Sequence, residues 1–160
     1  MTIALAGPEH IRAIMALERG EGFDGLVGRW SAEEHAAEMA RPSARYFLLR
    51  DGEDIAGFAM VQGLGDGHGK AHLRRIAVAS PGRGDGTRLM RDVLAWLYAT
   101  TDTNRVDLDV YVGNDRARRS YEKAGFQVEG RLRAYHRDAD GTYRDMWLMS
   151  ILRRDWEAHR

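Results

Sequence analysis

The 160-residue chain carries 24 Lys plus Arg against 24 Asp plus Glu, so its formal charge is zero, and 44% of its residues are hydrophobic. That size and composition suit one folded domain over residues 1–160, and the zero net charge supplies no long-range field toward nucleic acid or anionic lipid. The absence of cysteine excludes disulfides, thiolate metal sites and a cysteine nucleophile.

The first twenty residues lack the basic start, apolar run and small-residue cleavage site of a signal peptide, and no apolar run approaches membrane-spanning length, so a cytoplasmic setting is expected. A short strand over residues 2–6 leads into a helix over 8–18, with Pro8 in its first turn. The next helix covers 31–39, where Ser31 and Glu34 have the spacing of a capping box. Between the helices, residues 20–30 include Gly20, Gly22, Gly25 and Gly28, and this bendable segment is expected to border a site.

Residues 45–50 and 55–62 read as an antiparallel hairpin, because two apolar runs flank the turn formers at 51–54. A glycine-rich turn at 63–69 then feeds a strand over 70–79. From Gly84 the period changes: Leu89, Met90, Val93, Leu94 and Leu97 recur at helical spacing, so a helix runs to about Tyr98 and buries that stripe. A strand over 106–112 follows, and then a helix capped by Asn114 and ended by Gly125. Two more strands, 126–132 and 143–152, are joined by a polar connection with a turn at Asp140 and Gly141. The order βααβββαβαββ describes an α+β domain with a mixed, mostly antiparallel central sheet flanked by helices.

The sharpest local feature lies between the strand ending near Ala79 and the helix beginning near Gly84, in the loop Ser80, Pro81, Gly82, Arg83, Gly84, Asp85, Gly86, Thr87. Glycines allow positive φ and close backbone approach, and a helix N-terminus adds partial positive charge, so amides here can converge on an anion such as a pyrophosphate. An ordinary tight turn is the alternative. The loop has neither the lysine of GxxxxGK[ST] nor the spacing of GxGxxG, which sets aside nucleoside triphosphatase and dinucleotide-fold readings. Further on, Asn114 and Tyr121 stand two helical turns apart on one face; simple packing of Tyr121 on the sheet explains that spacing equally well.

These two constellations, in this order, resemble the GNAT superfamily of N-acetyltransferases. The loop is similar to the family pattern Q/R-x-x-G-x-G/A, which holds the coenzyme A pyrophosphate, and Pro81 departs from it where Arg or Gln is usual. Asn114 followed by Tyr121, Glu122, Lys123, Ala124, Gly125 and Phe126 resembles the family's N…Y-E-K-x-G-F. The resemblance implies acetyl-CoA as acetyl donor, held by Ile76, Ala77 and Val78 on the 70–79 strand, by Gly82, Arg83, Gly84, Asp85, Gly86 and Thr87, and by Asn114. Its pantetheine arm is implied to lie like an extra strand between the 70–79 and 106–112 strands, and Tyr121 to protonate the departing sulfur. Glu129 with Gly130, Arg133, and the runs from Gly141 to Asp145 and from Met149 to Leu152 are similar to the branch containing spermidine and ribosomal-protein acetyltransferases, and a homodimer through the C-terminal strand and exposed aromatics is an expectation by analogy.

Acetyl transfer needs a neutral amine, and an alkylamine of pKa ~10 must lose a proton at pH 7. With no cysteine present, direct attack in a ternary complex is the simplest route. His72 is one candidate base, with strand alternation placing it on one face with Arg74, Ile76 and Val78; a structural histidine is the competing explanation. Glu18 and Glu21 are rivals, and Phe23, Trp30, Tyr135 and His136 are candidate walls of the acceptor site. The acceptor is expected to be a small-molecule amine or a peptide; the alternatives are an acyl-CoA sensor without turnover, from another class, and an enzyme that modifies protein N-termini or lysines. No metal is called for.

Overall fold

The computed structural model describes residues 1–20 and 29–159. Alternating apolar residues build seven strands, β1 Thr2–Leu5, β2 Arg45–Asp51, β3 Asp54–Gln62, β4 Lys70–Val78, β5 Arg105–Tyr111, β6 Gln127–Arg137 and β7 Tyr143–Leu152. They form one sheet in the order β1-β2-β3-β4-β5-β7-β6. Every neighbouring pair is antiparallel except β4 with β5. The helices are α1 Ile11–Glu18, α2 Ala32–Met39, α3 Asp85–Thr100, α4 Asp115–Ala124 and α5 Arg153–Ala158, with a single 3₁₀ turn at Pro8–His10 before α1.

Successive side chains on a strand point to opposite faces, and β2 shows what each face receives. Phe47 meets Trp96 of α3 edge-on, with ring centroids 5.1 Å apart. Its neighbour Tyr46 faces the other way, with its hydroxyl 2.8 Å from His35 Nδ1 of α2. The apolar stripe of α3, Leu89, Met90, Val93, Leu94 and Leu97, is at most 1% exposed, which places the densest core between α3 and the sheet. Helix α4 joins α3 on that face through a 2.8 Å contact between Thr87 Oγ1 and Ser120 Oγ. The capping box of α2 forms, since Glu34 N donates to Ser31 Oγ and Ser31 N to Glu34 Oε1.

Two regions differ from the sequence reading. The polar connection expected after residue 132 is largely strand: β6 runs on to Arg137. The strand absorbs the irregular register through Ala134, whose φ is 48° and whose amide donates to Asp145 Oδ1 at 2.8 Å. The chain also ends in α5, where the Asp155 carboxylate accepts from Leu152 N at 3.2 Å and Arg153 donates to the carbonyls of Tyr98, Thr101 and Thr103. No helix among the described residues is long and apolar enough to cross a membrane.

Candidate active site

Strands β4 and β5 pair only at their beginnings, Lys70 with Arg105, Ala71 with Val106 and His72 with Asp107. Beyond that point β4 stays with β3 and β5 stays with β7, so the sheet opens between them like a V. A cavity of about 560 Å³ occupies the opening. Its walls are Arg74 to Val78 on β4, Asp109 to Tyr111 on β5 and the inner face of α4 from Asn114 to Tyr121.

At one end of the cleft the glycine loop turns into α3. Gly82 and Gly84 have φ of 86° and 88°, a region that L-residues with side chains resist. A Cβ at either would meet nothing within 4 Å, so backbone conformation, rather than crowding, calls for glycine there. Gly86 lies inside α3, and a Cβ on it would meet only Ser120 Oγ, at 3.8 Å. Pro81, Gly82, Gly84, Gly86 and Thr87 all line the cleft, whereas Arg83 and Asp85 do not. Positive charge instead comes from α4, whose Arg116, Arg119 and Lys123 line it. The loop amides, the start of a 16-residue helix and these three cations together suit a polyphosphate.

Asn114 caps α4 by accepting from Ala117 N at 3.4 Å, and it also lines the cleft. Two turns on, Tyr121 lies half-buried beside Phe126, their centroids 6.0 Å apart, with its ring in the cleft wall. Burial pushes its phenol up, and the charge of Asp109 pushes the same way. Such a phenol stays protonated and has a proton to give. Ile76, Ala77 and Val78 line the facing wall.

His72 lies outside the cleft. The β3–β4 register slips by one residue between Met60 and Val61, and the slip overturns the expected alternation. His72 pairs with Gln62, whose amide donates to Glu38 of α2 at 3.0 Å, so it lies on the α2 face. Val78 pairs with Gly57, which abuts Leu89 of α3, and thus sits on the other face with Ile76. His72 Nδ1 is 2.6 Å from Asp107 Oδ1, and its Nε2 is 3.9 Å from Asp109 Oδ2. Burial opposes the charge on Asp107, but the hydrogen bond and charge of His72, aided by Arg105, hold its carboxyl below the ordinary range. Asp109, the one carboxylate among the described residues that line the cleft, thus stands between His72 and the cavity.

Glu18 is fully buried and committed elsewhere. One oxygen accepts from Arg75 Nη1 at 2.8 Å and lies 2.9 Å from His35 Nε2, the latter outside hydrogen-bond geometry. The other accepts from Trp30 N at 3.2 Å. Burial resists its ionisation, yet His35, the Trp30 amide and Arg75 together hold the carboxyl below its usual range. Trp30 does not line the cleft: it lies behind Arg75, whose guanidinium is 4.4 Å from its ring centre. Tyr135 and His136 do line it, His136 meeting Tyr111 edge-on. Glu21 and Phe23, with Gly22, Gly25 and Gly28, lie outside the described residues.

A profile of the acetyltransferase (GNAT) family matches residues 11–126. The chain belongs to the GNAT acetyltransferase family. It is 30% identical to a putative ribosomal N-acetyltransferase YdaF of Bacillus subtilis (strain 168) over 116 residues, 71% of this chain and 61% of that protein. It is 32% identical to the N-alpha-acetyltransferase RimI of Mycobacterium tuberculosis over 111 residues, 68% of each chain. In fold it is similar to a spermidine N-acetyltransferase from Vibrio cholerae in complex with CoA and spermine, with a TM-score of 0.84, 21% identity and 98% and 97% of the two chains covered.

Within this GNAT chain the sequence reading missed Asp109, Arg75 and the α4 cations. Asp109 had a signal, since Asp107 and Asp109 alternate with Val106, Leu108 and Val110 and therefore share the polar face of β5. The α4 cations read as a solvated helix face until α4 packs beside the loop. Among the described residues no three His, Asp or Glu gather as a metal site.

Proposed function

We propose that this chain is a cytoplasmic enzyme that transfers an acetyl group from acetyl-CoA directly to an amine of a small molecule or peptide, within a ternary complex. One observation carries the reading: a single cleft joins the glycine loop, the unpaired inner edge of β4, Tyr121 and Asp109. The amides of Gly82 and Gly84, the start of α3 and the cations of α4 are placed to hold a pyrophosphate. Residues Ile76 to Val78, turned away from β5, offer main-chain groups to an extended arm as an edge strand does, and Asn114 stands opposite them.

Acetyl-CoA supplies the activated acetyl group as a thioester. The acceptor nitrogen forms the new N–C bond as the C–S bond breaks. Asp109 is placed to take the amine's proton, and His72, backed by the Asp107 carboxylate, to relay it outward. Tyr121 gives its proton to the sulfur as the C–S bond breaks: burial keeps the phenol protonated, and because its ordinary ~10 exceeds the ~8.5 of a thiol, transfer to a free thiolate is uphill and donation is concerted with departure of the sulfur.

The test is release of coenzyme A from acetyl-CoA across a panel of amines, amino acids and peptides, with Tyr121→Phe alongside. That substitution keeps the ring and its packing on Phe126. Turnover should fall by ~10²–10⁴ while coenzyme A binding changes little. Undiminished turnover would remove the proton-donor role, and coenzyme A binding without turnover on any amine would favour the sensor reading.

A further inference from the structure

Strand β4 carries one residue more than the strand beside it. Arg75 pairs with Met60 and Leu73 with Val61, so Arg74 is the bulged residue. Bulges re-aim side chains, and Arg74 is both exposed and part of the cleft lining. Its charge is felt at the β5 wall: Tyr111, whose phenol burial pushes up, is pulled the other way by Arg144 and, less, by Arg74.

The charges around it are unevenly matched. Arg75 is neutralised by Glu18 at 2.8 Å. Arg116, Arg119 and Lys123 stand on α4 beside the glycine loop, where the proposed reaction uses them. Among the described residues lining the cleft Asp109 is the one carboxylate, and none of the described carboxylates forms an ion pair with Arg74. Among the described residues the acceptor side therefore presents one acid, Asp109, and one cation with no carboxylate paired to it, Arg74.

We infer that the acceptor is an amine that itself carries a nearby carboxylate, an amino acid or an acidic peptide, with the amine at Asp109 and the carboxylate on Arg74. An arginine fork binds a carboxylate through charge-assisted, bidentate hydrogen bonds. A polyamine meets the opposite situation: its first ammonium finds Asp109, and its further ammonium groups face Arg74 with no second acid among the described residues of the wall. Like-charge placement of this kind discriminates between ligands as effectively as attraction does. The inference rests on the acetyl-transfer reading above and narrows its acceptor.

The test measures kcat/KM for coenzyme A release with two matched pairs and one polyamine. The pairs are β-alanine against β-alaninamide, and a short peptide with Glu at its second position against the same peptide with Gln; the polyamine is spermidine. Expected is a preference of roughly tenfold or more for the acidic member of at least one pair, the responding pair distinguishing a free amino acid from a peptide. The acidic member should also exceed spermidine, and the preference should shrink at high salt. Arg74→Gln should abolish the preference and Arg74→Glu should turn it toward spermidine, with unchanged circular dichroism because the side chain is exposed. Equal rates within both pairs, a preference for spermidine, or a preference untouched by either variant would overturn the inference and leave acetyl transfer standing. No coenzyme A release with any amine would overturn the proposed function itself, and this inference with it.

Discussion

Glu18→Gln removes one buried charge while keeping the shape of the side chain. Glu18 is 0% exposed and Arg75 8%, and the two meet at 2.8 Å. In the variant the Arg75 cation keeps the Trp30 ring at 4.4 Å, a contact worth about 0.5–2 kcal/mol, but loses its counter-charge. Removing one partner of a buried pair costs roughly 3–5 kcal/mol. The ring contact, and a glutamine oxygen that still accepts from Trp30 N, place the expected loss near the lower end, ~3 kcal/mol. The sign with pH follows from the depressed carboxyl: its folded pKa lies below the reference 4.5. Its stabilisation is therefore complete above about pH 4.5 and is lost as pH falls through the lower, folded value. Urea unfolding of both proteins should show the full gap at pH 7 and a narrowing gap below about pH 4.5. A gap under 1 kcal/mol at pH 7, or one constant across this range, would refute the account of Glu18 as a buried, paired carboxylate.

Gly84→Val forces a β-branched residue to a φ of 88°, and coenzyme A affinity by calorimetry should fall by about tenfold or more; Gly86→Ala, whose Cβ meets only Ser120 Oγ at 3.8 Å, should bind nearly as wild type. An equal loss in both would mean that the cleft mouth, rather than the left-handed turn, sets affinity. Asp109→Asn should lower kcat by ~10²–10⁴, whereas His72→Ala, acting from behind Asp109, should cost no more than about tenfold and alter the pH–rate profile. The reverse order of effects in steady-state assays would return the base role to His72.

Local sequence marks were enough to place most of the elements, because each is decided within a few residues. The Ser31 and Glu34 capping box, the α3 stripe, the Asn114 cap and the C-terminal turn at Gly125, with φ of 107°, are short-range matters of hydrogen bonding and backbone sterics. The continuation of β6 to Arg137 had no such mark, since its turn and bulge are held by Asp145 on the neighbouring strand. The short helix α5 likewise depends on carbonyls near residue 100 that accept from Arg153.

For the site, the glycine loop and the spacing of Asn114 and Tyr121 were legible, because positive φ and helical periodicity belong to the chain itself. What only the tertiary structure decided is where β4 and β5 part and on which face each side chain then falls. The slip at Met60 and Val61 parts His72 from Ile76 and Val78 and leaves it behind Asp109, which strict alternation read along β4 alone does not predict. Glu18 reads as a solvated helix end until Arg75, 57 residues away, reaches it. Register and burial are fixed by partners distant in sequence, and in this chain those partners determine which carboxylate faces the cleft and which is held in the core.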